Sequence, residues 1–537
     1  MKRIIFSICA LCIVHCAFSQ GLMDASRMAN TDIMGTARYM SMAGSMGALG
    51  GDPSAIFDNP AALGIYRSSE FSFTLNATPS VTRSGSYQDV IKSNDFFFNF
   101  NQLSYIVSLQ SGKDVGYVSS NFSFSYNRLK DFHRKTRIAG GNTPSITAMI
   151  ANLSNGFYPS DLNEDNLYVP YLSILGYEGY LMDPYFSHLT DDGDSVFNYS
   201  PYADYAKRMG YLGEESGRID EYNFSYAANI GHYLYIGAGL GVQTLDYQLV
   251  SEMGEMYDNG AMMALKNVFN TNGIGINLRL GVIARPVSWM RLGLSFQSPT
   301  WYSLTDSYYG KVVGEGTAQG IATVTYTTPS SSSHYGFNSP LKAQASVGFV
   351  LGKVALINVD YQLTHHQGMR LKGEESSSVW AEPEFVYENN EIKEYTRLTH
   401  TLKVGAEVRI ASQFSFRAGA AYRTASIDAF APRTLMDNTT RTDMEIFTDR
   451  GMFYAAGGFG YRYNGFGIDL TYGYSHQAQA YRPFQENAEL LGNGYFGVKK
   501  SQSGTSPSDL ELGCGPRNAF SVSTIRHNAV LTISYKF

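Results

Sequence analysis

The stretch that decides the fold class is the last ten residues, 528–537, with the sequence NAVLTISYKF. From Ala529 onward every second residue is apolar or aromatic, whereas Thr532, Ser534 and Lys536 between them are polar. Successive side chains of a strand point to opposite faces, so this stretch predicts a strand with one apolar and one polar face. The same alternation recurs down the chain, for example in residues 274–282 and 401–410.

The composition favours a transmembrane antiparallel β-barrel over a soluble protein of the same length. Among 537 residues, 16% are charged and 14% aromatic, and the mean hydropathy is −0.19. Past the first twenty residues no apolar run reaches the roughly 18 residues that a spanning helix needs. In a barrel, lipid-facing and lumen-facing residues alternate, so local hydropathy averages out. The alternative is a large secreted β-sandwich or β-helix.

The N-terminus predicts export. Lys2 and Arg3 precede an apolar run from residue 4 to residue 14, and Ala17 and Ser19 supply the small side chains that a signal peptidase requires. We therefore expect residues 1–19 to be a signal peptide cleaved after Ser19, and the mature chain to lie in the outer membrane of a Gram-negative bacterium. The formal charge of −6 argues against a nucleic-acid partner.

The four cysteines predict neither a disulfide framework nor a metal site. Cys9, Cys12 and Cys16 fall in the signal peptide, and His15 makes Cys16 a poor lipoprotein acceptor. Cys514 then remains alone in a stretch rich in Gly, Ser and Pro, and its role is open.

The alternation along the chain predicts about fourteen strands, an even number as in bacterial barrels. The candidates lie near 71–79, 101–110, 115–127, 221–231, 233–248, 273–286, 290–303, 341–351, 354–368, 398–411, 414–424, 452–463, 465–478 and 525–537. Short links alternate with long ones, and the long ones are 80–100, 128–220, 249–272, 304–340, 369–397, 425–451 and 479–524. This parity predicts short periplasmic turns, long extracellular loops and both termini in the periplasm.

Residues 20–67 differ from the rest and predict a plug inside the barrel, ahead of the barrel domain at 68–537. Six methionines lie between residues 23 and 46, and small residues dominate up to residue 63. Asp52-Pro53 and Asn59-Pro60 read as turns, with one short helical turn between them. The alternative is a loose periplasmic extension.

Two stretches resemble a known family. Residues 44–63, GSMGALGGDPSAIFDNPAAL, are similar to the N-terminal hatch of FadL/TodX-type outer-membrane transporters of hydrophobic compounds, and residues 289–302, WMRLGLSFQSPTWY, to a mid-barrel strand of that family. The resemblance implies passive uptake of hydrophobic small molecules, of the long-chain fatty acid or aromatic hydrocarbon class, gated by the hatch. Mapped onto this chain, the hatch and gating candidates are Gly44, Gly47, Asp52, Pro53, Phe57, Asn59, Pro60 and Ala61.

The partners expected are outer-membrane lipids and lipopolysaccharide, a hydrophobic ligand, and the barrel assembly machinery, for which Tyr535 and Phe537 are the candidate signal. No cofactor and no metal are expected, and the chain is predicted not to be an enzyme. The ligand's identity, its contact residues, any lateral opening and the oligomeric state stay open.

Three alternatives to transport remain: a structural or adhesive surface barrel that binds a partner through its Tyr-rich loops, a general porin, and a barrel phospholipase or protease.

Isolated motifs favour none of them. The glycines of residues 237–241 lie in an alternating strand and predict close packing against the plug, not a nucleotide loop. Residues 191–194, DDGD, read as a solvated acidic turn rather than a calcium site. His365 and His366 would face opposite sides of a strand.

Overall fold

The computed structural model describes residues 20–85, 90–113, 115–166, 169–190, 193–318, 321–373, 385–436, 439–485, 489–490, 495–497 and 519–537. The signal-peptide prediction, Cys514, Asp191 and Asp192 lie outside these residues. No helix within them is long and apolar enough to span a membrane.

In chain order the strands are Glu70–Gly85 (β1), Val90–Gln110 (β2), Tyr117–Asp131 (β3), Arg134–Pro144 (β4), Met182–Leu189 (β5), Ser195–Pro201 (β6), Tyr205–Ile230 (β7), Leu234–Met256 (β8), Met262–Val287 (β9), Met290–Gln297 (β10), Trp301–Ala318 (β11), Ile321–Thr327 (β12), Ser331–Asn338 (β13), Leu341–Leu351 (β14), Ala355–His365 (β15), Arg370–Lys372 (β16), Leu398–Arg409 (β17), Phe414–Arg423 (β18), Leu435–Met436 (β19), Ile446–Tyr463 (β20), Phe466–Arg482 (β21), Glu489–Leu490 (β22), Tyr495–Gly497 (β23) and Phe520–Lys536 (β24). The α-helices are Leu22–Ala29 (α1), Ala37–Ser41 (α2), Ile146–Ser154 (α3), Tyr171–Glu178 (α4) and Val386–Tyr395 (α5), and 3₁₀ turns span Pro53–Phe57, Pro60–Ile65, Pro159–Asp161 and His366–Gly368.

The main sheet closes on itself as an antiparallel barrel of 14 strands. Closure occurs between β1 and β24, where Phe73 faces Ile533 in register, and every other neighbouring pair is also antiparallel. Three of the barrel strands are interrupted: β10 and β11 form one around Pro299, β13 and β14 form the next around Pro340, and β15 and β16 form the third. Proline has no N–H to donate to a ladder, which explains the first two breaks.

The side chains divide as the alternation predicts, with apolar residues outward and polar ones inward. On β24, Tyr535 is 41% exposed on the outside while Thr532 is 2% exposed inside. On β1 the outward residues from Phe71 to Val81 are all apolar, a run of the 9–11 positions that a tilted transmembrane strand needs. The outer surface therefore carries an apolar belt that matches a bilayer.

Three of the predicted long links are wrong, among them residues 304–340, which are mostly strand because β11 continues to Ala318 and is followed by β12 and β13. Residues 80–100 are mostly strand, because β1 continues to Gly85 and β2 begins at Val90. Residues 249–272 are also mostly strand, since β8 ends at Met256 and β9 begins at Met262. In β8, β9 and β11 backbone pairing continues beyond the apolar belt, where the alternation in hydropathy weakens. Residues 96–100 of β2 lie within the belt, and their alternation was missed because the inward Phe97 stands between the outward Phe96 and Phe98.

The loop predicted at 128–220 contains more structure than a connection. Its end, from Tyr205, belongs to β7, and β4 pairs with that extension. The part between β4 and β7 forms a lobe of α3, α4 and the β5–β6 hairpin. Its apolar core, which includes Ile150 and Leu175, is shared with barrel-strand residues such as Tyr211 and Val312.

The first described residue, Gln20, lies at a different end of the barrel from the one predicted for the mature N-terminus. Gln20 donates from its side-chain amide to Asp306 at 2.9 Å, and Asp306 lies on β11 beyond Trp301, toward the long loops. The C-terminus lies at the short turns as expected. The N-terminal segment therefore runs down the lumen from the long-loop end to β1.

Candidate functional site

Residues 20–66 lie inside the barrel and form two parts of different character. The outer helix is α1 with Gln20 and Gly21, at the long-loop end. The floor is residues 35–66, nearer the short turns, and contains α2 and two 3₁₀ turns. Nearly all of these residues are buried.

The floor is shaped by caps that its sequence encodes locally. Thr36, Asp52 and Asn59 each cap the element that follows, and the last two are succeeded by proline at the first helical position. The Asp52 carboxylate accepts from the Ser54 amide at 2.9 Å and from the Thr36 hydroxyl at 2.8 Å. Side-chain oxygens at this position satisfy N–H groups that the first turn leaves unpaired. The short helical turn predicted between the prolines is confirmed.

Hydrogen bonds join the floor to inward-facing side chains around the wall. The Ala37 amide donates to Thr532 at 2.7 Å, and the Ala37 carbonyl accepts from Thr471 at 2.6 Å. Elsewhere around the wall the Gly47 amide donates to Asp360 on β15 at 3.1 Å, and Asn121 on β3 donates to the Leu63 carbonyl at 2.7 Å. The polar inner face of the barrel thus provides partners for floor backbone groups.

Two wall glycines allow the floor backbone to touch the strands. A Cβ on Gly419 would lie 2.3 Å from the carbonyl carbon of Met42, and one on Gly237 would lie 2.4 Å from that of Pro60. Neither position has room for a side chain, because the obstructing atoms are backbone. The close packing predicted for residues 237–241 is therefore confirmed at Gly237.

The predicted gating residues all lie in the floor, namely Gly44, Gly47, Asp52, Pro53, Phe57, Asn59, Pro60 and Ala61. Asn59 connects two of its turns: its Oδ1 accepts from the Ala61 amide at 3.0 Å, and its Nδ2 donates to the Gly47 carbonyl at 2.8 Å. Gly44 has a φ of 72°, which disfavours other residues. These roles are structural, and gating by the same residues stays a prediction.

The outer helix packs its apolar side into the upper cluster, a set of aromatic and aliphatic side chains from the wall and loops. Leu22, Met23 and Met28 are at most 5% exposed there. The wall contributes Tyr247, Phe269, Tyr302, Leu304, Tyr308, Tyr335 and Phe337 to the upper cluster.

Buried ion pairs hold the outer helix against residues 433–443. The Asp24 carboxylate lies 2.8 Å from Arg441 and 3.8 Å from Arg433, and both guanidinium groups also contact Asp443. Burial by itself would raise the pKa of Asp24, but the charges of Arg441, Arg433 and Arg27 outweigh it and hold that pKa well below its ordinary value. No local motif marks this network in the sequence, because Asp24 and the arginines are far apart in the chain.

A second carboxyl group near the outer helix, that of Asp306, has its pKa shifted in the opposite direction, upward. Asp306 accepts from Gln20 at 2.9 Å and from the Tyr335 hydroxyl at 3.2 Å. Its strand is outside the apolar belt here, since the neighbouring outward residues Ser303 and Thr305 are exposed and polar. Burial, with the negative charge of Asp24 nearby, raises the pKa of Asp306 to about 7.

Between the outer helix and the floor is a mid-lumen cavity of about 100 Å³. Its lining is mainly polar and includes Asp32, Asp58, Lys342 and Lys403, with the Phe57 ring as an apolar contribution from the floor. A wider vestibule of about 570 Å³ lies on the other side of the floor, at the short turns. The lumen is thus divided in series by the outer helix, the cavity, the floor and the vestibule.

The two candidate assembly residues lie at the short-turn end. The Phe537 amide donates to the Ser69 carbonyl at 3.1 Å, and its ring is 6.2 Å from that of Tyr105. The Tyr535 ring is 6.0 Å from that of Phe537.

His366 is buried in the turn after β15 while His365 is exposed, and within the described ranges no cluster of potential ligands would hold a metal ion.

Comparison with known proteins gave matches only among solved structures. No family model and no curated protein matches the sequence. A FadL homologue of Pseudomonas aeruginosa is 13% identical with a TM-score of 0.49, and the alignment covers 96% of this chain and 100% of that one. The toluene transporter TodX of Pseudomonas putida is 11% identical with a TM-score of 0.48, covering 94% and 99%. The toluene transporter TbuX of Ralstonia pickettii is 12% identical with a TM-score of 0.46, covering 94% and 99%.

These structures are of the class that residues 44–63 resemble, and this chain's own strand pairing establishes its fold. The chain is a closed antiparallel barrel of 14 strands, the architecture expected from its resemblance to FadL/TodX-type transporters.

Proposed function

We propose that this chain is an outer-membrane channel for passive uptake of hydrophobic small molecules, of the long-chain fatty acid or aromatic hydrocarbon class. In this proposal the N-terminal residues close the channel at rest and open it by moving, and the signal peptide is removed near Ser19. One observation carries the proposal. The upper lumen has an apolar lining of aromatic and aliphatic side chains, and the chain's own amphipathic helix occupies it.

An apolar lining inside a barrel needs an explanation, because the lumen of such a barrel is ordinarily polar. A hydrophobic ligand gains free energy in an apolar pocket with few polar groups, whereas a hydrophilic solute does not. Met23 and Met28 are unbranched and adaptable, so the surface they cover fits ligands of variable shape once the helix leaves. The upper cluster is therefore the proposed ligand site, and the outer helix is its resting occupant.

The test is uptake by cells that lack their own transporter and express this chain. Labelled long-chain fatty acid, labelled toluene and a hydrophilic sugar are followed in parallel. We expect one or both hydrophobic compounds to be taken up without the sugar. Deletion of residues 20–66 should admit the sugar, whereas deletion of the exposed hairpin tip at 185–195, which leaves the buried base of the hairpin in place, should change nothing. Sugar influx through the intact chain would indicate a porin, and a folded barrel that takes up neither hydrophobic compound contradicts the proposal.

A second candidate function is surface binding through the extracellular lobe. The β5–β6 hairpin projects from that lobe, with Tyr185, Phe186 and Leu189 each about half exposed or more. Exposed aromatic and apolar side chains of this kind are typical of interaction surfaces. If the chain is an adhesin, removing the hairpin abolishes attachment of expressing cells to their target, and deleting residues 20–66 leaves it intact.

A further inference from the structure

Two positive charges face each other on the outside of the barrel. Arg83 on β1 and Lys92 on β2 are direct register partners in the antiparallel ladder. Both side chains are exposed, and both belong to the outward series of their strands. Directly opposed residues of this kind have Cβ atoms roughly 4.5–5.5 Å apart.

The outward residues of β1 and β2 show where Arg83 and Lys92 lie relative to the apolar belt. Along β1 the outward residues are apolar from Phe71 to Val81, and Arg83 is the next one. Along β2 the exposed rings of Phe96, Phe98 and Phe100 belong to the belt, and Lys92 lies beyond them toward the long loops. The pair therefore sits just past the edge of the apolar belt, at the level of lipid headgroups.

The described surroundings leave this charge unbalanced. Like charges directly opposite one another destabilise a sheet. In the part of the chain that the structure describes, no carboxylate forms a salt bridge with Arg83 or Lys92. The nearest acid along β2, Asp95, belongs to the inward series, and its carboxylate accepts from the Phe96 amide. Asn94 and Ser523 are the outward polar neighbours, and both are uncharged.

We propose that Arg83 and Lys92 together bind a phosphate group of a phosphorylated outer-leaflet lipid, whose acyl chains lie along the belt below. A guanidinium donates two parallel hydrogen bonds to phosphate oxygens, and an ammonium adds a compact charge from the facing strand. The anion relieves the repulsion between the two cations, and Val81, Phe96 and Phe98 offer apolar surface lower on the same two strands. This inference rests on the barrel spanning an outer membrane and does not depend on the transported compound.

The test is binding of lipid A to the purified full-length protein in detergent, measured by native mass spectrometry. Phosphorylated lipid A is compared with the same lipid after phosphatase treatment. The test variant is Arg83→Gln/Lys92→Gln. The control is Lys113→Gln/Lys353→Gln, which removes the same charge from exposed short turns at the opposite end. Heat-modifiable migration verifies that each barrel is folded.

We expect the intact protein to bind the phosphorylated lipid about tenfold more tightly than the dephosphorylated one. The control should keep that preference and the test variant should lose it. Inorganic phosphate in large excess should compete poorly, because the acyl chains contribute; efficient competition would instead indicate a site for free phosphate and overturn the lipid assignment. Equal binding of the two lipids by the intact protein, or an unchanged preference in the test variant, also overturns the proposal. If the test variant does not fold, the comparison of lipids on the intact protein at low and high salt still decides, since the preference must weaken with salt.

Discussion

The outer helix and the floor belong to one continuous segment but are held in the lumen by different forces. The floor is held by close packing. The backbones of Met42 and Pro60 contact wall glycines, and floor backbone groups form hydrogen bonds with wall side chains. The outer helix is held by charge over an apolar surface, through Asp24 and the arginines of residues 433–443. Close packing tolerates almost no displacement, whereas an apolar surface accepts any apolar replacement.

This difference indicates which part of the segment is able to move. A buried ion pair gains in Coulomb energy roughly what it loses in desolvation, so its net contribution to stability is small while both partners are present. Release of the outer helix therefore costs mainly the exposure of the upper cluster, which a hydrophobic ligand would cover. Release of the floor breaks packing that no ligand reproduces.

The largest effect is expected from adding a side chain where the floor meets the wall. In Gly419→Val the new Cβ would lie 2.3 Å from the Met42 carbonyl carbon, so the floor must shift or the barrel must fail to close. We expect a loss of about 3 kcal/mol or more in unfolding free energy, with sugar leakage. Gly457→Val is the control, since Gly457 faces outward on β20 and its nearest atom is 3.8 Å away. Equal stability of the two variants would contradict the close packing of the floor.

The next effect concerns the charges that hold the outer helix. Arg441→Met leaves the buried Asp24 carboxylate without its nearest cation. Arg27 and Arg433 stay beside it, so docking of the helix should weaken by about 2 kcal/mol. The measurement is thiol labelling of Met28→Cys in a Cys514→Ser background, which should become fast.

The control for this variant is Lys266→Met, which removes an exposed ion pair with Glu252 and should leave labelling slow. Replacing both buried partners, in Asp24→Leu/Arg441→Met, should restore much of the protection. If the double variant labels as fast as the single one, charge is not what holds the helix.

A smaller effect is expected from pH. The pKa of Asp306 is raised from 3.8 to about 7, so the docked state keeps a proton that the undocked state releases. Docking therefore weakens as pH rises between these two values and levels off above them. Asp306 stays in the wall when the helix leaves, so only part of the shift counts, about 1 kcal/mol. Labelling at Met28→Cys should accelerate with rising pH after correction for thiolate formation, and Asp306→Asn should abolish that dependence.

The smallest effect compares one substitution in both parts. Methionine to leucine conserves volume and usually costs less than about 1.5 kcal/mol. We expect Met42→Leu to approach that limit, because Met42 is wedged against Gly405 and Gly419, and Met28→Leu in the adaptable upper cluster to cost less. Chemical denaturation of the two variants measures the difference, and a larger loss at Met28 would reverse the comparison.

The sequence predicted the fold well wherever the membrane constrains it. Alternation located each of the 14 barrel strands, since lipid demands apolar residues on one face, although it missed residues 96–100 of β2, where the inward Phe97 interrupts the pattern. It failed beyond the belt, where β7, β8 and β9 continue with polar outward residues. The floor was also predictable in part, because Asp52-Pro53 and Asn59-Pro60 encode its turns locally.

By itself, then, the sequence determined a 14-stranded antiparallel barrel with an apolar outer belt, and a compact N-terminal segment of short capped turns. Periodicity and capping act over a few residues, so they can be recognised without knowing the rest of the chain. Only the tertiary structure decided that Gln20 lies at the long-loop end, that Asp24 meets Arg441, and that the helix packs into the upper cluster. Those contacts join residues hundreds of positions apart, and barrel closure, which no local pattern encodes, brings them together.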